Sequence, residues 1–239
     1  MGRAYEVRKA SIEKNGMAKT KIYTNYAKEI YSVCKKGGTD PEGNLLLKRL
    51  ISDAKKDSVP NDVINRAIEK AKGGAGEDYE VVTYEGFGPG ESTLIVKTMT
   101  DNVNRTVGMV RAAFNKVHKS LGVTNSVSYN YDYMAILSFK GHDELEVLDL
   151  LTANSIEPID MEEEDDILTI FLEPKDRYKA KDLFEKEYPS ISYEIDEEGM
   201  YAKEKVTLAP EDKEQFLLLL KLLNDIDDVS TIYHNVNLD

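Results

Sequence analysis

Lysines and arginines at the start of this 239-residue chain are the side chains best suited to bind a ligand. Residues 1–72 carry 16 Lys and Arg against 9 Asp and Glu, a net charge of +7, and residues 73–239 carry 15 against 35, a net charge of −20. A basic segment joined to an acidic remainder meets a polyanion with the basic segment only, because phosphates repel the remainder. This division of charge favours nucleic-acid binding. Chance variation between domains, with an acidic surface that serves solubility, would produce the same counts.

The candidate contacts with nucleic acid are ten basic side chains and one tyrosine. They are Arg3, Tyr5, Arg8, Lys9, Lys19, Lys21, Lys28, Lys48, Arg49, Lys55 and Lys56. Lys48, Lys55 and Lys56 fall opposite or beside a stripe of leucines, so we expect them to face water. Tyrosines are interleaved with the cations, and an aromatic ring beside a cation can stack on an unpaired base. The alternative for Tyr23 and Tyr26 is packing in the core.

Residue types that catalysis and metal binding require are scarce. The three histidines are His118, His142 and His234, and none has the spacing of a metal-ligand pair. The single cysteine, Cys34, has no cysteine partner for zinc and lies on an apolar helix face, which favours a core residue over a nucleophile. We therefore predict a non-enzymatic protein with no metal and no cofactor.

Three further segments resemble binding motifs only in composition. Gly73–Gly76 lacks the Lys-Ser/Thr that follows in a phosphate-binding loop, and Gly86–Gly90 joins two strands rather than a strand and a helix. Glu162–Asp166 lacks the glycine-spaced pattern of a calcium loop, so a solvated turn is expected. Asp101 or Asn102 can cap the helix that follows. Capping does not explain Asn104 and Arg105, which are candidates to line a surface groove.

A small helical bundle must position the basic residues. Apolar residues recur at spacings of three and four from Lys21 to Gly37, from Thr39 through Ala54 and from Pro60 to Ala71, which predicts three helices. Residues 1–20 have weak periodicity and predict a frayed helix or a mobile basic arm.

Alternating β and α patterns follow the bundle. We expect strands near residues 81–84, 93–98, 126–131, 135–139, 156–161, 167–172, 191–195, 205–208 and 229–236, and helices near 103–117, 145–153, 178–188 and 210–223. Residues 134–198 have the β-α-β-β-α-β order of a ferredoxin-like fold. The last β-α-β segment cannot bury both faces alone, so we expect it to complete the sheet begun near Tyr79.

The fold class predicted is therefore α+β and multidomain, with an N-terminal helical bundle and two α+β domains, one ferredoxin-like and inserted into the other. The domains are expected at residues 1–76, at 77–133 with 205–239, and at 134–204. The start of the chain lacks the apolar run of a signal peptide, and the apolar stretch Phe216–Leu220 is too short to span a bilayer. With no disulfide possible from one cysteine, we expect a soluble cytoplasmic protein without a membrane partner.

The chain resembles the YebC/PmpR family of putative transcriptional regulators, which is related to the mitochondrial translational activator of cytochrome oxidase subunit one. The segments that carry the resemblance are Lys21–Thr24, Gly37–Asn44, Ala54–Pro60, Ala67–Lys70, Tyr84–Gly90, Thr100–Thr106 and Ser126–Tyr129. Family members usually begin with a His-Ser-Lys-Trp stretch, in place of which this chain has Gly2-Arg3-Ala4-Tyr5. Asn125 replaces a family glycine, and Val117–Ser120 replaces a Lys-x-Gly-Gly. These departures resemble a YeeN-type subgroup.

The resemblance implies two functions and a fold of one helical and two α+β domains. One function is a DNA-binding transcriptional regulator, and the other is a ribosome-associated factor that relieves stalling at stretches such as consecutive prolines. Duplex DNA and ribosomal or transfer RNA both satisfy the charge argument, and no helix is recognisable from the sequence as a reader of bases. An adaptor whose acidic domains bind protein stays open as a further alternative. The oligomeric state is not predicted.

Overall fold

Two compact units make up the chain, one from Met1–Gly16 and Ser128–Lys205 and the other from Met17–Val127 and Val206–Asp239. The structure is a computed structural model that describes residues 3, 4, 7, 19–74, 76 and 78–238. In chain order its elements are α1 (Lys19–Gly37), α2 (Leu45–Lys56), α3 (Asn61–Lys72), β1 (Glu80–Phe87), β2 (Thr93–Thr100), α4 (Val103–Lys116), β3 (Ser120–Leu121), β4 (Tyr131–Lys140), α5 (Glu144–Ala153), β5 (Asp160–Glu164), β6 (Ile167–Leu172), α6 (Arg177–Glu187), β7 (Tyr193–Ala202), α7 (Pro210–Asn224) and β8 (Val229–His234). None of the described helices combines the length and the apolar run that a bilayer crossing requires.

Helices α1, α2 and α3 form the predicted bundle. They share a core that includes Ile30, Leu47 and Ile64. The predicted start of the second helix at Thr39 is wrong, because α2 begins after Asn44. The Asn44 Oδ1 accepts a hydrogen bond from the Leu47 backbone N–H at 3.2 Å, and its Nδ2 donates to the Gly38 carbonyl. This side chain therefore sets the N-terminus of α2 and leaves the preceding segment as a turn.

A discontinuous α+β domain belongs to the same unit as the bundle. Its antiparallel sheet has the order β3-β1-β2-β8, so the C-terminal segment completes the sheet begun at β1. Helices α4 and α7 cover one face, where Leu94, Val96, Phe114 and Phe216 are fully buried.

The other unit contains the ferredoxin-like domain. Its four antiparallel strands have the order β5-β6-β4-β7, and α5 and α6 pack over a core that includes Phe139 and Phe184. The opposite face contributes Met134 and Phe171 to a second cluster with Ala4 and Val7. The fold class is therefore confirmed, and we retain the domain boundaries 1–76, 77–133 with 205–239, and 134–204 as a proposal.

Some strands differ from the prediction. Of the strand predicted at residues 126–131, only Tyr131 is in a strand, as the first residue of β4. Ser128–Asn130 form a 3₁₀ turn, and the Glu85 carboxylate accepts hydrogen bonds from the backbone N–H groups of Asn125 and Val127. β5 begins at Asp160 rather than near residue 156, because Ile156 is buried in the core after α5. β7 extends to Ala202, well beyond its apolar start, because it pairs with β4 to that point.

Candidate nucleic-acid interface

Helix α2 presents four of the predicted cations on one side. Lys48, Arg49, Lys55 and Lys56 fall within an arc of about 120° on the helix, opposite the buried face that contains Leu47 and Ala54. The three lysines are exposed and Arg49 is half-buried. We call these four residues the cationic stripe.

Two of these four charges, those of Lys48 and Lys55, are held weakly or not at all by the described residues. Lys48 pairs with Glu42 at 3.0 Å, and both side chains are more than half exposed, so the pair contributes little stability. The Lys55 ammonium has no ion pair or hydrogen bond with any described residue, whereas Arg49 and Lys56 each interact with another group. Lys48 and Lys55 are therefore able to bind phosphate oxygens at little cost to the fold.

Two predicted cations on α1 are used inside the protein. The Lys28 ammonium donates to the carbonyls of Met99 and Asp227 and to the Asp228 carboxylate, each at 3.1 Å. Lys21 donates to the Asn224 carbonyl at 2.7 Å. Burial lowers the pKa of Lys21 to about 8 despite the nearby acidic residues. These two lysines anchor α1 against the end of α7.

Of the other cations predicted, Lys19 is exposed and has no partner among the described residues. The Arg3 guanidinium pairs with Asp132 at 2.7 Å and lies 5.3 Å from the ring centroid of Phe171. The Arg3 charge is therefore already paired within the ferredoxin-like unit. Tyr5, Arg8 and Lys9 lie outside the described residues.

Tyrosines of the bundle belong to its interior. Tyr31 is only 3% exposed, and Tyr23 and Tyr26 are half-buried against the core. The Tyr26 hydroxyl donates to Asp57, and burial together with this hydrogen bond raises its pKa far above the ordinary value. These buried or half-buried rings are therefore poorly placed to stack on bases.

Asp228 lies at the centre of a buried polar cluster that was not predicted from the sequence. Its carboxylate is nearly buried and accepts hydrogen bonds from Arg105 at 2.7 Å, Thr106 at 2.8 Å and Thr100 at 3.1 Å, besides Lys28. Burial alone would raise the pKa of Asp228, but the hydrogen bonds from Arg105, Thr106 and Lys28 lower it to about 2. No sequence signal links residue 228 to partners more than a hundred positions away, although the Asp227-Asp228 pair between a helix and a strand marks it as unusual.

The predicted groove residues have different surroundings. Asn102 caps α4 by accepting from the Arg105 N–H at 3.0 Å, which settles the choice between Asp101 and Asn102. The Arg105 guanidinium bridges Asp101 and Asp228. Asn104 is exposed and makes no side-chain hydrogen bond with a described residue.

Within the described part of the chain, no group of three or more His, Cys, Asp or Glu is placed to hold a metal ion. Cys34 is buried, which raises the pKa of its thiol and makes the thiolate scarce.

Comparisons with known proteins cover nearly all of the chain. Residues 3–74 match the family described as TACO1/YebC protein N-terminal domain, and residues 79–236 match the TACO1/YebC second and third domain. A probable transcriptional regulatory protein of Vibrio parahaemolyticus is 44% identical over all of both chains. One from Chromohalobacter salexigens is 46% identical over 100% of this chain and 99% of its own.

A solved structure extends the likeness to three dimensions. The crystal structure of a conserved hypothetical protein from Aquifex aeolicus superimposes with a TM-score of 0.72 at 30% identity, covering 91% of this chain and 90% of the other. Family matches over both halves and full-length relatives agree with this fold. The chain belongs to the TACO1/YebC family.

Proposed function

We propose that this protein is a non-enzymatic regulator of gene expression that binds duplex DNA through the cationic stripe on α2. The observation that carries the proposal is four cations at helical spacing on one exposed face of a protein whose net charge is −13. Lysines and arginines so placed bind the phosphate backbone and orient the acidic remainder away from it. The names of the relatives, probable transcriptional regulatory proteins, support the regulatory role.

The proposed contact set is smaller than the one the sequence predicted. It keeps Lys19 and the cationic stripe. It omits Lys21 and Lys28, whose ammonium groups already bind α7 and the segment after it, and Arg3, which pairs with Asp132. Tyr5, Arg8 and Lys9 lie outside the described residues and are not counted. About five phosphate contacts give a slope near −4.5 for the logarithm of the affinity against the logarithm of salt concentration.

Ribosome association is the second candidate, because phosphates of RNA satisfy the same cations. Burial of Tyr31 favours duplex DNA over unpaired RNA, since it removes one of the rings that would stack on bases. The adaptor alternative assigns the acidic surfaces to a protein partner.

Co-sedimentation with bacterial ribosomes at physiological salt, with excess duplex DNA as competitor, tests the proposal. We expect the DNA to remove the protein from the ribosomal pellet and to form a stable complex with it. The triple variant Lys48→Glu, Lys55→Glu, Lys56→Glu should bind both much more weakly.

The matched control is Lys175→Glu, Lys186→Glu, Lys221→Glu, which changes the net charge equally at exposed positions outside the bundle. Equal loss of binding in the control would mean that net charge, and not the cationic stripe, governs the interaction. Ribosome binding that survives the DNA would favour the translation factor, and binding to neither would favour the adaptor.

A further inference from the structure

A second basic surface lies in the acidic part of the chain. From Asn102 to Lys119 the sequence has no Asp or Glu and has four Lys or Arg, although residues 73–239 have a net charge of −20. This stretch is α4 with its two ends. The charge of this stretch is opposite in sign to that of the residues around it. Packing against the sheet does not require positive charge on the exposed side of the helix.

The exposed side of α4 is built from amides, cations and small residues. Val110, Ala113 and Phe114 are buried against the sheet, and the opposite arc spans about 140°. We call six exposed residues of that arc the α4 face: Asn104, Gly108, Arg111, Ala112, Asn115 and Lys116. Arg105 also lies in the arc but is excluded because its guanidinium pairs with Asp101 and Asp228.

Polar side chains of the α4 face have no role in holding the fold. The side chains of Asn104, Arg111, Asn115 and Lys116 make no hydrogen bond or ion pair with any described residue. Asparagine is a weak helix former, so two asparagines in one helix lower its stability. No hydrogen bond from their side chains to a described residue offsets this loss. These groups are available to a ligand.

Gly108 supports the same conclusion. A Cβ placed on Gly108 would meet nothing within 4 Å, so no steric requirement of the fold keeps a glycine there. Glycine in an exposed helix interior is unfavourable. With Ala112 one turn later, it leaves the middle of the α4 face flat, which allows another molecule to approach the helix backbone closely.

Acidic residues near the start of α4 are neutralised by the protein itself. Arg105 pairs with both Asp101 and Asp228 at 2.7 Å, and Lys28 also pairs with Asp228. The negative charges that would most directly repel a polyanion at this end of the helix are therefore already matched.

We infer that the α4 face binds the major groove of duplex DNA, with Asn104, Arg111 and Asn115 directed to base edges and Lys116 to phosphate. The inference rests on the proposed function and deepens it, because it assigns sequence recognition to α4 and general attraction to the cationic stripe. Asparagine pairs with adenine and arginine with guanine through two hydrogen bonds each in the major groove. The eleven steps of helical rise from Asn104 to Asn115 span about 16 Å, which is about five base-pair steps.

The choice of DNA follows from the helix as the presenting element. The major groove of B-form DNA admits an α-helix. The major groove of A-form RNA is too narrow for side chains to read. RNA contact through α4 is therefore an outcome of the test and not the proposal.

Selection of binding sites from a random-sequence duplex pool tests the inference. We expect the wild-type protein to enrich one sequence. The variant Asn104→Ala, Asn115→Ala should bind random duplex as the wild type does, with the same salt dependence, and should lose about ten-fold to a hundred-fold of its preference for the enriched sequence. Because alanine favours helix more than asparagine does, this variant is expected to fold.

Two further variants separate recognition from folding. Gly108→Leu should raise the unfolding temperature, since its side chain enters open space, and should weaken binding to the enriched sequence by blocking close approach. Arg111→Glu, Lys116→Glu should weaken binding to both enriched and random duplex, whereas the control Lys175→Glu, Lys221→Glu should do so much less.

Each result distinguishes this inference from the proposed function. Absence of any duplex binding by the wild type overturns both. Binding that depends on the cationic stripe, with no enriched sequence or with the same enrichment by every α4 variant, overturns only the role of α4. Binding of a structured ribosomal RNA fragment that is weakened by Arg111→Glu, Lys116→Glu, without sequence selection on DNA, overturns the DNA assignment.

Discussion

The ammonium of Lys28 on α1 and the carboxylate of Asp228 after α7 lie 3.1 Å apart, and both side chains are largely buried. The pair joins two parts of the chain that are 200 residues apart in sequence. Asn25, one turn before Lys28, donates to the Ser230 carbonyl at 3.1 Å, and Lys21 donates to Asn224 one turn earlier still. One polar face of α1 therefore fixes the bundle, and with it the cationic stripe, to the discontinuous domain.

Removing the ammonium should destabilise the protein. Lys28→Met leaves part of the charge of Asp228 and two backbone carbonyls without their donor, so we expect the free energy of unfolding to fall by about 3 kcal/mol. Urea denaturation measures this change. The control Lys19→Met removes an exposed lysine from the same helix and should change the free energy by less than about 0.5 kcal/mol. Equal small effects in both variants would contradict the anchoring role of Lys28.

Lys21 should make stability rise in alkaline solution. Its pKa is about 8 in the folded protein against an ordinary value of 10.5. Between pH 8 and pH 10.5, Lys21 is more protonated in the unfolded chain than in the folded one. The free energy of unfolding therefore increases with pH across this window. Below pH 8 the lysine is charged in both states and the unfavourable burial of its charge is fully present.

The variant Lys21→Met isolates this contribution. Urea denaturation of both proteins gives their unfolding free energies. From pH 8 to pH 10 the wild type should gain stability relative to the variant. Comparing the two proteins removes the effect of tyrosines that titrate above pH 10. A difference that stays constant across the window would contradict the lowered pKa of Lys21.

Two glycines of the discontinuous domain should respond oppositely to alanine. Gly108→Ala should stabilise the protein by about 0.5–1 kcal/mol, because it lies in an exposed helix interior with open space around it. Gly86→Ala should destabilise it, because the new Cβ would lie 2.5 Å from the Phe114 ring. Thermal unfolding of the two variants beside the wild type checks both signs, and destabilisation by Gly108→Ala would contradict the open environment.

Glu85 should control local opening of the loop before the ferredoxin-like domain. Its buried carboxylate accepts from the backbone N–H of Asn125 at 2.8 Å and of Val127 at 2.7 Å. Glu85→Ala leaves both donors without an acceptor, a loss of about 2 kcal/mol, so hydrogen exchange at these two amides should be about 30-fold faster. Glu85→Gln keeps one acceptor oxygen, so its exchange rates should lie between those of the wild type and Glu85→Ala. Unchanged exchange in Glu85→Ala would show that other contacts hold the loop.

Periodic segments of the sequence predict most of this fold. The apolar spacing of Tyr23 to Cys34 predicts α1 because one face of that helix is buried. The apolar run in Thr93 to Thr98 predicts β2, which is buried on both faces. Residues 126–130 alternate but are not a strand, since the buried Glu85 carboxylate binds the Val127 N–H and Ser128–Asn130 form a 3₁₀ turn. A side chain forty positions away cannot be seen in a local pattern.

The candidate site was only partly predictable for the same reason. Helical spacing places Lys48 and Lys55 on the water-facing side of α2 without knowledge of the structure. The same rule cannot show that Lys28 meets Asp228, or that Arg3 meets Asp132, because tertiary packing determines both pairs. Of the α4 face, only Asn104 was predicted, as a groove residue. The rest was not, because charge was summed over the acidic remainder as a whole, and that sum conceals one basic helix.

The salt dependence of affinity for a 30-base-pair duplex tests the central claim most directly. For the wild type, the logarithm of the association constant should fall with the logarithm of salt concentration with a slope of about −4.5. The variant Lys48→Glu, Lys55→Glu, Lys56→Glu should lose about 2.7 from the magnitude of that slope. The control Lys175→Glu, Lys186→Glu, Lys221→Glu should keep it. A triple variant in the cationic stripe with the slope and affinity of the wild type would contradict DNA binding through α2.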